Sequence, residues 1–159
     1  MIRNARVAVT ALALPAALFA GNAGAACYDV AVIARPVDQV PSDADCGADC
    51  IMSSWPWFID LDIDHVVEGE LSARTVRTLS VQHTYFLEQP RSWMLRRNGA
   101  GGFNILHAED GIVPTRCPAD AAPADPYIRP GAGRTLDDLR EEGISRHGHH
   151  PRDRGARQP

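Results

Sequence analysis

Hydrophobic positions are distributed along this chain in two contrasting ways, alternating and continuous, and each predicts a different structure. The clearest alternation lies in residues 55–67. Its odd positions read Trp55, Trp57, Ile59, Leu61, Ile63, His65 and Val67, and its even positions read Phe58, Asp60, Asp62 and Asp64. Successive strand side chains point to opposite faces, so this run predicts a strand with one buried face and one wet, acidic face. Residues 74–86 (RTVRTLSVQHTYF) form a second β-branched, alternating run, reached through the turn signal Glu68-Gly69-Glu70. A hairpin is the simple outcome. Within it Arg74 and Arg77 could meet Asp62, Asp64 or Glu68, each pair contributing only about 0.2 to 1 kcal/mol. A further hairpin is predicted from residues 92–97 and 103–107 around Asn98-Gly-Ala-Gly-Gly, whose residues tolerate positive φ. Residues 27–37 read as the first strand, ended by Pro36 and an exposed acidic loop over 38–49.

The continuous pattern is at the N-terminus. Arg3 and Arg6 precede residues 7–20 (VAVTALALPAALFA), an almost wholly apolar stretch interrupted by Pro15. Crossing a hydrocarbon core of about 30 Å takes about 20 helical residues, so this stretch is too short to span. Small residues follow, with Ala23 and Ala25 offering an A-x-A cleavage site, and Gly24 with Ala26 offering one a residue later. Residues 1–25 therefore read as a secretory signal peptide. A lipid-modified Cys27 would favour an aliphatic residue three positions earlier, where Gly24 stands. No later stretch is long and apolar enough to span a membrane, and the expected compartment is the periplasm or the exterior.

After the last hairpin, residues 118–126 (PADAAPADP) read as a surface loop. Thr135 then reads as a helix N-cap, with Asp137 and Asp138 in the favourable first turn. The predicted organisation is a signal over 1–25, a β domain over 26–130 and a short helix within 131–143, centred on 136–142. An Arg/His tail with little to bury follows over 144–159, expected to be disordered. Short strands, sharp turns and one terminal helix predict an all-β fold, a small antiparallel OB-like five-stranded barrel with a short C-terminal helix.

Charge and cysteines narrow the picture. The signal carries two of the 16 basic residues, all arginine, and none of the 20 acids, so the exported chain has a net charge of −6. That balance argues against nucleic acid as a partner. All four cysteines follow the signal, and an even count in an oxidising compartment favours disulfides. Of the three possible pairings, Cys46–Cys50 with Cys27–Cys117 is expected. A redox pair would prefer C-x-x-C in a thioredoxin-like setting, and a zinc site would prefer two C-x-x-C knuckles.

The order of elements resembles the netrin-like modules, the OB-fold group that includes the tissue inhibitors of metalloproteinases and bacterial exported proteins. The resemblance runs from Cys27 and its apolar strand, through Ile63-Asp64-His65-Val66-Val67-Glu68-Gly69, to the strand at 93–97, its glycine turn and Cys117. It implies an OB-type barrel with an interaction role. In the inhibitors a terminal Cys-x-Cys chelates the protease zinc; here Asp29 stands at the second cysteine position, leaving that motif incomplete.

Candidate sites are few. OB-type barrels often bind through a strand face and its loops, which points to Phe58, Asp60, Asp62, Arg77 and His83 as a binding surface. Asp60, Asp62 and Asp64 do not form a calcium loop, because side chains two apart on a strand stand about 6.7 Å apart. Two of them with His83 could hold a divalent ion. His147, His149 and His150 could bind a transition metal through neutral imidazoles. Serines lack a G-x-S-x-G setting, the histidines lack a triad order, and Gly131-Ala-Gly133 lacks the rest of a dinucleotide loop. The chain therefore reads as a monomeric binding module for an envelope or extracellular protein or a small ligand, not an enzyme and with no cofactor. The alternatives are a divalent-metal-binding envelope protein using the acidic strand or the His tail, and then an enzyme of unknown type.

Overall fold

The computed structural model describes residues 27–43, 54–108 and 113–149. Residues 1–26, the expected Cys46–Cys50 bridge and residues 150–159 lie outside them. The chain forms β1 (Cys27–Tyr28), β2 (Val30–Pro41), β3 (Trp55–Glu68), β4 (Thr75–Gln82), β5 (Arg91–Arg97), β6 (Phe103–Leu106), β7 (Thr115–Arg116) and α1 (Leu136–His147). Five of the strands close a barrel in the order β2-β3-β4-β6-β5, with β5 returning to β2.

The barrel is OB-like, but it is mixed and not purely antiparallel. Every neighbouring pair is antiparallel except β4–β6, where Thr78 pairs with Phe103 and Leu79 with Asn104 in parallel. The reason is parity. Directions cannot alternate all the way around a closed ring of five strands, so one seam has to run parallel.

Inward side chains of β2, β3, β4, β5 and β6 fill the barrel. Val30, Val32, Ala34, Trp57, Ile59, Leu61, Val76, Trp93, Leu95 and Ile105 make one buried cluster. A buried indole needs a partner for its N–H. Trp57 Nε1 donates to the Gln82 carbonyl at 2.9 Å and Trp93 Nε1 to the Ala34 carbonyl at 2.8 Å. The alternation read from the sequence holds from Trp57 to Ile63 and then slips. Ile33 pairs with His65 but Ala34 with Ile63, so Asp64 is an extra residue that shifts the register. Beyond such a bulge the faces exchange. Val66 packs against the core, while His65 and Val67, expected inside, are exposed.

Pro36 does not end its strand. Pairing of β2 with β5 covers only Val30 to Ala34, so a missing N–H at Pro36 breaks no ladder on that side. A disulfide joins Cys27 to Cys117 across the parallel pair β1–β7, as expected. It closes a separation of 90 residues, which in the chain-entropy account contributes about 4 to 5 kcal/mol.

A second layer covers the outer face of β2, β3 and β4. Thr135 caps α1 with a full capping box: its hydroxyl accepts from Asp138 N while Asp138 accepts from Thr135 N. The helix runs to His147, a turn longer than predicted, so residues 144–147 belong to it and not to a tail. The cause is the stripe Leu136, Leu139, Arg140, Gly143, Ile144, one face of a helix at i, i+3, i+4, i+7 and i+8. Leu136, Leu139 and Ile144 pack onto a second cluster of Val40, Phe58, Leu79 and Ile128. Gly143 lets the helix backbone touch β2, since a Cβ there would meet the Pro41 carbonyl oxygen at 2.4 Å.

Candidate functional site

Between the N-terminal half of α1, the outer face of β3 and β4, and the β5–β6 turn lies a cleft of about 410 Å³. Its turn wall is built by one asparagine. The Asn98 side-chain carbonyl accepts from Ala100 N at 3.1 Å and Gly102 N at 3.2 Å, and its amide donates to Asn104 at 3.0 Å. Asn104 in turn donates to the Asp125 carbonyl at 2.7 Å. Both asparagines are buried and hydrogen-bonded, which is the condition for keeping polar groups inside. The loop over 118–126 is thereby tied to the barrel. Arg96 ties it a second time, donating to the Ala122 carbonyl and, through Nη1, to both Asp29 carboxylate oxygens at 2.9 Å.

The floor carries Phe58, Leu79 and Phe103, with Leu136 from the helix. Charged groups surround it. On the strands, Asp60 stands directly opposite Arg77. On the helix, Asp137 and Arg140 are three residues apart and therefore neighbours on its surface. Arg77 Nη1 donates to Asp137 Oδ1 at 2.6 Å and Arg140 Nη2 to Asp60 Oδ2 at 2.8 Å. Arg140 also donates to Asp38, which β2 places opposite Asp60, and His149 Nδ1 lies 3.1 Å from the same Asp38 carboxylate. Burial under α1 pushes the Asp60 carboxyl above its ordinary range; Asp38 adds to this, while Arg140, Arg77 and His149 oppose it.

Of the five residues expected to form the binding surface, the structure gathers three: Phe58, Asp60 and Arg77 line the cleft. Phe58 is not an exposed member of a wet face. It is only 6% exposed, because α1 lies on it. Asp62 shares the strand face of Asp60 but lies outside the cleft, held by Arg35 at 3.0 Å and Arg74 at 3.4 Å. The expected Arg74–Asp62 contact is present, whereas Arg77 turns to the helix. His83 is remote. The register sets Asp60 against Arg77 and Trp55 against Gln82, so His83 falls past the opposite end of β4. It cannot share an ion with the strand carboxylates.

His147 is exposed on the last turn of α1, His149 faces Asp38, and His150 lies outside the described residues. Among the described residues no group of three His, Cys, Asp or Glu side chains is placed to hold a metal. A Ser80–His107 contact of 3.0 Å also escaped the sequence reading. Ser80 is fully buried, so the contact braces β4 against the end of β6.

Sequence reading missed Asn98, Phe103, Asp137 and Arg140 as cleft residues. One signal was available: the helical stripe from Leu136 to Ile144 demands an apolar partner, and Phe58 with Leu79 on the outward strand faces supplies it. No protein-family model, curated protein or solved structure matches the chain.

Proposed function

We propose that the chain is an exported, disulfide-stabilised binding module that takes a small ligand into the cleft beneath α1, and that it binds without catalysing a reaction. One observation carries the reading. The cleft joins an apolar, partly aromatic floor to a few convergent charged groups on rigid elements, the usual composition of a small-molecule site. The titratable groups there are engaged with each other: Asp60 with Arg140, and Asp137 with Arg77. That favours recognition over proton transfer.

Export is supported by the apolar N-terminal run and by the Cys27–Cys117 bridge, which fits an oxidising compartment. Intact mass of the protein recovered from its native compartment should show loss of the first 25 or 26 residues and retention of the bridge. The binding reading is tested by NMR with ¹⁵N-labelled protein and a fragment library. Shifts should concentrate at Asn98 to Phe103 and at Leu136 to Arg140. Ala100→Trp, which places a large side chain on the cleft lining, should abolish them while leaving the thermal transition in place. Shifts confined to the far end of the barrel, around Tyr85 and Leu87, would sink it.

A further inference from the structure

The cleft carries four charges of alternating sign: Asp60 and Arg77 from the strands, Asp137 and Arg140 from the helix. The two ion pairs differ in freedom. Arg140 and Asp60 are 14% and 18% exposed, and Arg140 is further fixed by Asp38. Arg77 and Asp137 are 64% and 74% exposed, and among the described residues each has its salt bridge with the other alone. An exposed pair contributes little stability, so it opens readily. Opened, it presents one cation and one anion side by side above Phe103 and Leu136.

Accepting that the cleft is a binding site, we propose that its ligand is a small zwitterion with an apolar side chain, such as a free apolar α-amino acid or the equivalent short peptide. The ligand carboxylate takes the guanidinium of Arg77, and its ammonium takes the carboxylate of Asp137. Its side chain lies on the floor beneath.

Charge complementarity selects this class. The outer pair, Arg77 with Asp137, has no net charge, so it favours neither a plain anion nor a plain cation. An anion that took Arg77 would leave Asp137 facing it unpaired, and a cation that took Asp137 would leave Arg77 unpaired. Only a ligand with both charges about as far apart as the two residues it separates satisfies both. The inner pair is already closed by Asp38 and stays as it is. The cleft volume lies within the range of small-ligand sites and leaves room for a side chain of aromatic size.

The test uses three probes on the purified full chain: L-phenylalanine, 3-phenylpropionate (which lacks the ammonium) and 2-phenylethylamine (which lacks the carboxylate). Calorimetry gives affinity and NMR gives location. L-phenylalanine should bind with shifts at Phe103, Leu136 and Asp137, and each truncated probe should bind roughly tenfold or more weakly, the loss expected for one charged hydrogen-bonded contact. Arg77→Gln should weaken L-phenylalanine and 3-phenylpropionate but not 2-phenylethylamine. Asp137→Asn should weaken L-phenylalanine and 2-phenylethylamine but not 3-phenylpropionate. This double dissociation is something that loss of a merely structural ion pair would not produce. A truncated probe binding in the cleft as tightly as L-phenylalanine overturns the zwitterion and leaves the binding site standing. Silence from all three probes, with other fragments still shifting the cleft, does the same. No shift in the cleft from any probe or fragment overturns both.

Discussion

Asp60 and Asp62 are two residues apart on the same face of the same strand, and their side chains are equally covered, at 18% and 17% exposure. Their carboxyl groups nevertheless depart from ordinary aspartate behaviour in opposite directions. Asp60 is raised, first by burial. Asp62 is lowered, first by its hydrogen bond from Arg35; burial opposes this, and Arg74 adds enough to keep the net direction down. What differs is the cover. Asp60 lies under a helix that excludes water and shares its hydrogen-bonding arginine, Arg140, with Asp38. Asp62 lies under two arginine side chains that are themselves 48% and 83% exposed, so water stays close and the charge is compensated twice. Fractional exposure alone says nothing about how hard it is to hold a charge; the covering material decides.

The largest break in this contrast should come from moving the helix. Gly143→Ala puts a methyl where the Pro41 carbonyl already stands, 2.4 Å from the new carbon. Because that obstacle is backbone, α1 has to lift, and the expected cost is about 2 to 4 kcal/mol. Urea unfolding measures the loss. NMR titration should show Asp60 falling toward its ordinary range as water reaches it, with Asp62 unmoved. If Gly143→Ala is as stable as the parent, close helix–strand contact is not what holds the layer down.

Removing the clasp while keeping its bulk is the next step. Arg140→Met retains most of the apolar stem but leaves Asp38 and Asp60 opposed under the helix without a cation between them. Breaking a largely buried pair from one side should cost about 2 to 3 kcal/mol at neutral pH. The Asp60 carboxyl should move further up, and the destabilisation should shrink as acid neutralises it. A deficit that stays constant from pH 7 to pH 4 would show that lost packing, and not charge, is the cause.

How much of this was legible beforehand depends on whether each feature is local or assembled. Trp57, Ile59 and Leu61 announce their strand and their face, because period-two alternation is a property of a few consecutive residues. Asn98 with its glycines announces the turn for the same reason. The bulge at Asp64 was not legible: nothing in Asp-His-Val-Val says that the partner strand skips a residue there. Nor was the burial of Phe58, which depends on a helix that begins 78 positions later in the chain. Three of the five expected surface residues reached the cleft because register carried Phe58, Asp60 and Arg77 to one patch. His83 missed it by the same register.

The unmodified protein offers a subtler check through pH. A carboxyl whose folded value is raised favours the folded state most below its unfolded value, near 3.8, and this contribution is lost as pH rises through the folded value. A lowered carboxyl does the reverse: its contribution is present above 3.8 and is lost as pH falls through the depressed folded value. Asp60 and Asp62 should therefore pull the stability profile in opposite senses on the two sides of that value. Asp60→Asn should flatten the slope above it, and Asp62→Asn the slope below it. Thermal melts from pH 2.5 to pH 6 separate the two. Identical profiles for both variants would mean that the two aspartates share one environment.

The smallest effect belongs to the open side. Arg35→Ala with Arg74→Ala removes both cations from Asp62, and the melting temperature at neutral pH should fall only slightly, by the small contribution the depressed carboxyl makes there. Arg74 is largely in water and Arg35 about half exposed, and pairs of this kind are weakly coupled to folding. The carboxyl itself should respond clearly, rising from its depressed value toward the ordinary range once the Arg35 hydrogen bond is gone. It should stop there and not follow Asp60 upward, because no helix replaces the arginines as cover and water takes their place. That stopping point is the informative quantity. If Asp62 in the double variant rose above the ordinary range as Asp60 does, the strand surface itself would be shedding water. The helix would then not be the cause of the Asp60 shift. A return to the ordinary range alone, with Asp60 unchanged, leaves α1 as the element that makes one aspartate of the pair costly to ionise.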